Sequence, residues 1–488
     1  MTKAPRNTLY YGDNLPILRQ HIDSNFADLI YLDPPFNSNA SYNVLFKAPD
    51  GHQSQAQIEA FDDTWHWGDS AELAFDDVIQ SANSDAASVL ISIRQFLGMN
   101  DMMAYLAMMA VRLIELHRVL KPNGSLYLHC DPTASHYLKI LLDAIFGKQT
   151  FQNEIIWSYR RWPTKAQRYQ RMHDVILFYS KDGDPSVFNT LYMSPTESSI
   201  KRWKGKKQLV EFGAQGERLP TQELGEASIG VPVNDVWNIP IIAPVSKERL
   251  GYPTQKPVAL LERILEASSN EGDVVLDPFC GCGTTLHAAT KLNRKWIGID
   301  ITHLAIGLIC RRLKEAFPQK NFDIVGVPKE LGGAQALALQ DKYEFQKWAL
   351  SMIEAQPYKG GKKGGDGGID GYLYFKPDGK KTEKAIVSVK GGQTLNPAMV
   401  KDLIVTVEQE GAKMGVFLTL ELPTKGMIAQ AASAGLYKTE YGQFPKIQIV
   451  TVEQLFQPGN PLHMPWQDTS VFKKSKREDT ETQSSLDI

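Results

Sequence analysis

The residues that stand out as chemistry rather than scaffold are Asp33, Pro34, Pro35 and Phe36, which follow the apolar run Asp28-Leu29-Ile30-Tyr31-Leu32. Such a run reads as a buried strand, and in an open α/β sheet the loop at a strand's carboxyl end is where ligands sit. The two prolines stiffen that loop and remove backbone donors, which leaves the Pro34 carbonyl free to accept. A carboxylate beside a fixed carbonyl suits an amine conjugated to an aromatic ring, which is a poor nucleophile. Both groups could accept from the NH2 and hold its lone pair toward an electrophile. Phe36 offers a flat face for a base. Taken alone, the same four residues are equally a strand end with a capping Asp and a rigid turn.

A second group lies far along the chain. Val274-Val275-Leu276-Asp277 reads as a strand and leads into Phe279-Cys280-Gly281-Cys282-Gly283-Thr284, where a helical pattern begins. Gly281 and Gly283 let backbone approach a ligand closely, and the helix start offers N–H groups. The spacing is neither the dinucleotide G-x-G-x-x-G nor a P-loop, which disfavours NAD. One strand later, Lys295-Trp296-Ile297-Gly298-Ile299 ends in Asp300, placed to accept from ribose hydroxyls. A lone G-x-G turn is a weak signal. The run strand, G-x-G, helix, strand, Asp points more firmly to a nucleoside ligand.

The elements that must position these groups alternate. From 8 to 181, strand-like runs such as Asn7–Asn14, Gly124–Asp131 and His173–Lys181 interleave with helical stretches, as a parallel α/β sheet requires. Residues 182–250 lose that alternation and gather Lys, Arg and Gly. It resumes over 251–330, and a further unit spans 338–470. The segment 471–488 is polar and charged and is expected to be a disordered tail. The chain has 488 residues, a net charge of −2 and 43% apolar residues, so it is not a globally basic nucleic-acid binder, and any DNA-binding charge has to be local. Four cysteines, Cys130, Cys280, Cys282 and Cys310, form neither a disulfide framework nor a zinc spacing, and fit a reducing cytoplasm. No signal-peptide core or membrane-length apolar run occurs, so no membrane partner is expected.

Together the two groups resemble the DNA amino-methyltransferases. Asp33-Pro34-Pro35-Phe36 resembles the catalytic motif of that family, and Asp277-Pro278-Phe279-Cys280-Gly281-Cys282-Gly283-Thr284-Thr285 its cofactor motif. The catalytic motif comes first, as in the circularly permuted β-class that includes type III modification subunits, and Tyr252-Pro253-Thr254-Gln255-Lys256-Pro257 is similar to that class too. The likeness covers about residues 8 to 315. It implies a Rossmann-like α/β sheet binding S-adenosylmethionine, with 8–181 as catalytic half and 251–330 as cofactor half. Asp33 and the Pro34 carbonyl would hold the target amine and Phe36 would stack on the base. Asp277, Phe279, Gly281, Gly283 and Thr284, with Lys256 nearby, would line the methionine end. Asp300 would take the ribose, and Asp13 would lie near the cofactor adenine. Methyl transfer needs no metal.

The expected reaction is methylation of adenine N6 in duplex DNA, in a restriction–modification or defence setting, with N4 of cytosine as the alternative. The base has to be flipped out of the stack. The insert 182–250 would be the target-recognition region, with Lys201, Arg202 and Lys204 on phosphates and Trp203 between them; a solvated loop is the competing reading. Tyr159 to Trp162 and His173-Asp174 would shape the base pocket's rim, or be structural. A homodimer and a separate restriction subunit are family-level expectations.

The unit 338–470 carries Gly364-Gly365-Asp366-Gly367-Gly368-Ile369-Asp370-Gly371 and then Lys390 in Val387-Ser388-Val389-Lys390. It resembles the Mrr-like branch of the PD-(D/E)xK nucleases. Such sites need carboxylates and a Lys around Mg²⁺ to activate water. Asp370 and Lys390 fit that pattern, but Ser388 stands where an acidic or amide residue belongs. Glu344, on the preceding helix, is the candidate to complete the set. Three readings follow: a combined nuclease–methyltransferase, a disabled module that binds or docks, and a plain structural domain.

Overall fold

The computed structural model describes residues 6–35, 41–47, 53–62, 66–163, 165, 167–183, 187–204, 206–212, 217–252, 254–358, 368–379, 381–467, 475, 477 and 478. Phe36 and Asp366 lie outside the described residues.

Nine strands join in one sheet: β1 (Thr8–Tyr11), β2 (Ala27–Leu32), β3 (Leu120–Cys130), β4 (Phe151–Ser158), β5 (His173–Ser180), β6 (Val236–Asn238), β7 (Val274–Asp277), β8 (Lys295–Asp300) and β9 (Asp323–Val325). Their order is β6-β4-β5-β3-β2-β7-β8-β1-β9. Only β5 runs against its neighbours. Residues at alternate positions of one strand serve opposite faces, as the pleat demands. Ile30 and Leu32 join one core with α1 (Asn14–His21), α2 (Asp69–Ile79), α3 (Ser84–Leu97), α4 (Asp101–Val119) and α5 (Ser135–Phe146). Leu29 and Tyr31 join the other.

Within the insert, α6 (Glu197–Trp203) stands apart from both cores. The second core is covered by α7 (Val258–Ser268), α8 (Thr284–Lys291) and α9 (His303–Ala316). The sequence thus folds as a two-faced α/β sheet because the strands are apolar on both sides.

Local chemistry sets the helix ends. The Asn100 side chain caps α4 at Met103 N, and α4 then stays apolar enough that twelve of its residues are buried. α9 is capped by Thr302, whose hydroxyl accepts from Ala305 N.

A second sheet, β10 (Gln356–Pro357), β11 (Gly371–Lys376), β12 (Glu383–Lys390), β13 (Met414–Thr419) and β14 (Ile447–Thr451), has β15 (Trp466–Gln467) added to β11. The helices α10 (Leu331–Gln340), α11 (Lys342–Met352), α12 (Pro397–Gln409) and α13 (Lys425–Ser433) flank it.

Two features depart from the sequence reading. An antiparallel hairpin, Ser41–Lys47 with Gln53–Asp62, and helices α2 and α3 stand between β2 and α4, where no separate elements were foreseen. In the expected tail, Ser475 N donates to Glu315 at 2.7 Å, Glu478 N donates to Ala316 O at 3.1 Å, and Glu478 lies 3.7 Å from His287. Glu478 docks on α8, where its carboxylate meets His287 and Lys291; of 471–488, the described residues are Ser475, Arg477 and Glu478, with 468–470 also outside them. Among the described residues, no helix is long and apolar enough to cross a membrane.

Candidate active site

β2, β7 and β8 are adjacent and parallel, so their carboxyl ends deliver Asp33, Asp277 and Asp300 to one edge. Burial among the strand ends lifts the Asp277 carboxyl to about 7, against hydrogen bonds from Thr285 and Phe279, and lifts Asp300 to about 6. Asp300 is already partly spent: one oxygen accepts from Thr302 N and its hydroxyl, both at 2.9 Å, and the other from Gly281 N at 2.9 Å. The second oxygen keeps one lone pair for a ligand.

The segment Tyr252–Lys256 spans the two loops. A Cβ on Gly281, whose φ is +50°, would meet the Tyr252 ring at 3.4 Å. Four residues on, Lys256 Nζ donates to Asp33 Oδ2 at 2.5 Å. Asp33 Oδ1 is buried and, among the described residues, has no hydrogen-bond partner. An orphaned buried acceptor is costly, which marks it as awaiting a donor. Pro34 and Pro35 follow directly in the same loop.

The other expected cofactor residues divide. Asp13 caps α1 through Leu15 N and accepts from Arg112 at 2.8 Å. Its neighbour Asn14 donates to Pro278 O at 2.9 Å, tying the β1 loop to the glycine loop. Phe279 N donates to Asp277. Gly283 and Thr284 turn inward: a Cβ on Gly283 would sit 2.8 Å from Ile309, and the Thr284 hydroxyl accepts from the buried Arg312 at 3.0 Å. Both hold α8 against α9. Asn14 and Arg112 escaped the sequence reading, although one Arg inside the apolar run of α4 was a usable signal.

Beside this edge lies a cavity of about 1550 Å³ whose wall includes Lys256, Tyr252, Trp157, Asp174, Arg161 and Arg171. Behind it runs a buried chain. Tyr31, kept protonated by burial and by Asp33, Asp277 and Asp174, shares a hydrogen bond with His129 Nδ1 at 2.9 Å. His129 Nε2 then faces Asp174 Oδ2 at 3.3 Å, and the Tyr159 hydroxyl donates to Asp174 Oδ1 at 3.0 Å. Burial opposes ionisation of Asp174, but His129, Lys256 and Tyr159 outweigh it and hold the carboxyl at about 2. The structure does not bring Lys201, Arg202, Trp203 and Lys204 to this cavity. They belong to an excursion that leaves and returns through the short pair Tyr192–Met193 with Val231–Pro232, upstream of β6.

In the C-terminal unit, Glu344 does not reach Asp370. Glu344 accepts from the Tyr11 hydroxyl at 3.2 Å and from Lys347 at 2.8 Å, facing the first sheet. The α11 residue that meets Asp370 is Gln346, donating at 2.6 Å. Val389 N donates to the other carboxylate oxygen at 2.6 Å, the Ser388 hydroxyl lies 3.4 Å away and Lys390 Nζ 4.0 Å. One carboxylate ringed by donors does not fit Mg²⁺, which needs several anionic or neutral oxygens. Among the described residues, no group of three or more His, Cys, Asp or Glu could hold a metal.

Comparison with known proteins follows the same division. The family described as DNA methylase matches residues 27–309, and the restriction endonuclease family matches 337–456. The Type II methyltransferase M.EcaI of Enterobacter cloacae is 28% identical over 63% of this chain and 69% of its own length. The DNA adenine methyltransferase YhdJ of Escherichia coli is 28% identical over 67% of this chain and 89% of its own. The Mod subunit of the Type III restriction-modification enzyme StyLTI of Salmonella typhimurium is 25% identical over 60% of this chain and 51% of its own.

Proposed function

Since the chain belongs to the DNA methylase family, whose match spans more than half of it, we propose that it methylates N6 of adenine in duplex DNA, using S-adenosylmethionine, within a restriction–modification setting. The observation that carries this is the orphaned Asp33 Oδ1, buried beside a glycine loop and next to a cavity large enough for a base. The relatives named as adenine and Type III enzymes support the choice of base and setting.

The site suits the donor. Asp33, Asp277 and Asp300 make a negative edge for a cationic sulfonium and its ammonium, and the Gly281 turn leaves backbone room. Asp277, Phe279, Gly281 and Asp300 would line it, with Asp13 and Lys256 at the two ends. When bound, S-adenosylmethionine supplies a methyl group whose leaving partner is a neutral thioether.

The chain's own residues do the rest. Asp33 Oδ1 accepts one amine N–H of an extruded adenine and turns its lone pair toward the methyl. The Pro34 carbonyl accepts the other. As the N–C bond forms, one amine proton has to leave, and Asp33 Oδ1 is the acceptor in contact with it. Lys256 holds Asp33 Oδ2, which fixes the carboxylate's rotation.

Label from tritiated S-adenosylmethionine should enter duplex DNA as N6-methyladenine, and Asp33→Ala should abolish transfer. Label in N4-methylcytosine, or an active Asp33→Ala chain, would overturn the assignment.

A further inference from the structure

The loop between β4 and β5 is the most basic stretch at the active edge. Residues 159–172 contain Arg160, Arg161, Lys165, Arg168 and Arg171 and no Asp or Glu, in a chain whose net charge is −2. The loop leaves β4 at Ser158 and re-enters β5 at His173, two residues that pair across the sheet. It therefore rises from the carboxyl edge that holds Asp33. Arg160, Arg161, Trp162 and Arg171 line the cavity that also contains Lys256, the partner of Asp33.

Its stem is fixed and its tip is not covered. Tyr159 N donates to Met172 O at 2.9 Å, closing the stem. Arg161 donates to the Tyr159 hydroxyl at 3.2 Å and stacks on that ring, while Arg171 donates to the Thr133 hydroxyl at 3.0 Å. Beyond these anchors, Trp162 is 91% exposed and Tyr169 is 100% exposed. Two bare aromatics on one cationic loop suit a partner that is anionic and carries flat apolar faces. A nucleic acid has both. Phosphates take the cations and base faces take the rings.

We infer that this loop, rather than α6, is the arm that grips duplex DNA beside the extruded base, with its cations on phosphates and Trp162 stacked on bases. The inference rests on the DNA-methylating reading and deepens it by naming the contacting surface. It accounts for the geometry in one respect that the insert does not. The loop lines the cavity whose wall includes Lys256, and Lys256 holds Asp33, so a duplex held by the loop lies beside the residue that meets its base. The Lys201–Lys204 group does not line that cavity.

The test compares full-length chains binding a mixed-sequence duplex, with affinity measured by fluorescence anisotropy across salt concentrations. Wild type is set against Arg160→Ala with Arg168→Ala, against Lys201→Ala with Arg202→Ala, and against Trp162→Ala. Removing two phosphate contacts should flatten the slope of log K against log salt by about 1.8 for the loop pair, and leave it unchanged for the α6 pair. Trp162→Ala should weaken binding about 10-fold at fixed salt, with Trp162→Phe restoring most of it. All these positions are exposed, so thermal unfolding should not move. Equal slopes in wild type and the loop pair, or equal losses in both pairs, overturn the inference. So does a self-associating chain that Trp162→Ala renders monomeric with DNA affinity intact. Asp33→Ala separates the two readings. It should bind DNA with the wild-type slope while transferring no methyl. A wild-type chain that never labels DNA removes the functional reading whatever the loop does.

Discussion

At the scale of single residues, the site is a problem of crowded negative charge. Asp33, Asp277 and Asp300 end adjacent strands, and Lys256 is the cation that meets Asp33. Burial holds Asp277 protonated to about 7 and Asp300 to about 6. An unfolded Asp ionises near about 3.9. Between roughly pH 4 and pH 7 the folded chain therefore binds more protons than the unfolded chain, and its stability falls as pH rises through that window before levelling above it. A cationic donor needs these carboxylates ionised. Its binding should release protons at pH 6, tighten toward pH 8 and then flatten. Calorimetry in buffers of different ionisation enthalpy reads both effects; Asp277→Asn should remove most of the pH dependence between pH 6 and pH 8, and Asp300→Asn chiefly the part below about pH 6.5. Proton release that is absent at pH 6 would contradict this account.

At the scale of elements, the two glycines of the cofactor loop do different work although they are two residues apart. Gly283 has φ +74°, and a Cβ there would come within 2.8 Å of Ile309. Gly283→Ala should destabilise by about 2–3 kcal/mol, from left-handed strain plus overpacking. Combined with Ile309→Ala, the loss should fall short of the sum by about 1 kcal/mol, which chemical denaturation measures. Gly281→Ala, whose Cβ meets only the Tyr252 ring at ordinary contact, should cost only the left-handed strain of its φ of +50°, about 1–2 kcal/mol, and should lose donor binding as well.

The sequence could tell that both glycines precede a helix, because turn and helix signals are local. It could not tell which faces a ligand, because Ile309 lies a strand and a helix away. The same limit explains the rest of the site. Strand ends at Asp33, Asp277 and Asp300 follow from apolar runs and their stops, so the α/β sheet and its edge were legible. The bond from Lys256 to Asp33 joins residues 223 apart and follows only from the fold. The cationic loop 159–172 was visible in composition. What marks it as an arm, its position over the cavity, was not.

For the whole molecule, the question is what the second sheet does beside the first. Helix α11 touches both. Glu344 meets Tyr11 of the first sheet, and Gln346, two residues on and so on another face of the helix, meets Asp370 of the second. Arg311 on α9 adds an ion pair with Glu354 at 3.2 Å. The acidic side chain expected in the nuclease-like site thus serves the junction between units, and amide and hydroxyl donors surround the carboxylate it left behind. That arrangement stabilises: Asp370 is 8% exposed and accepts from Gln346 and from Val389 N. Removing it should leave buried donors unpaired and cost about 2–3 kcal/mol in the unfolding of the second unit. It should not remove a cleavage activity, because among the described residues a single donor-saturated carboxylate stands at this site, too few oxygens for the metal that hydrolysis needs. The full chain incubated with unmethylated duplex and Mg²⁺ should leave both strands intact at every salt concentration, and Asp370→Ala should lower thermal stability while changing nothing in that assay. Scission by the wild-type chain that Asp370→Ala abolishes would show instead that the site rearranges to recruit a metal, and the structural role assigned to Asp370 would fall.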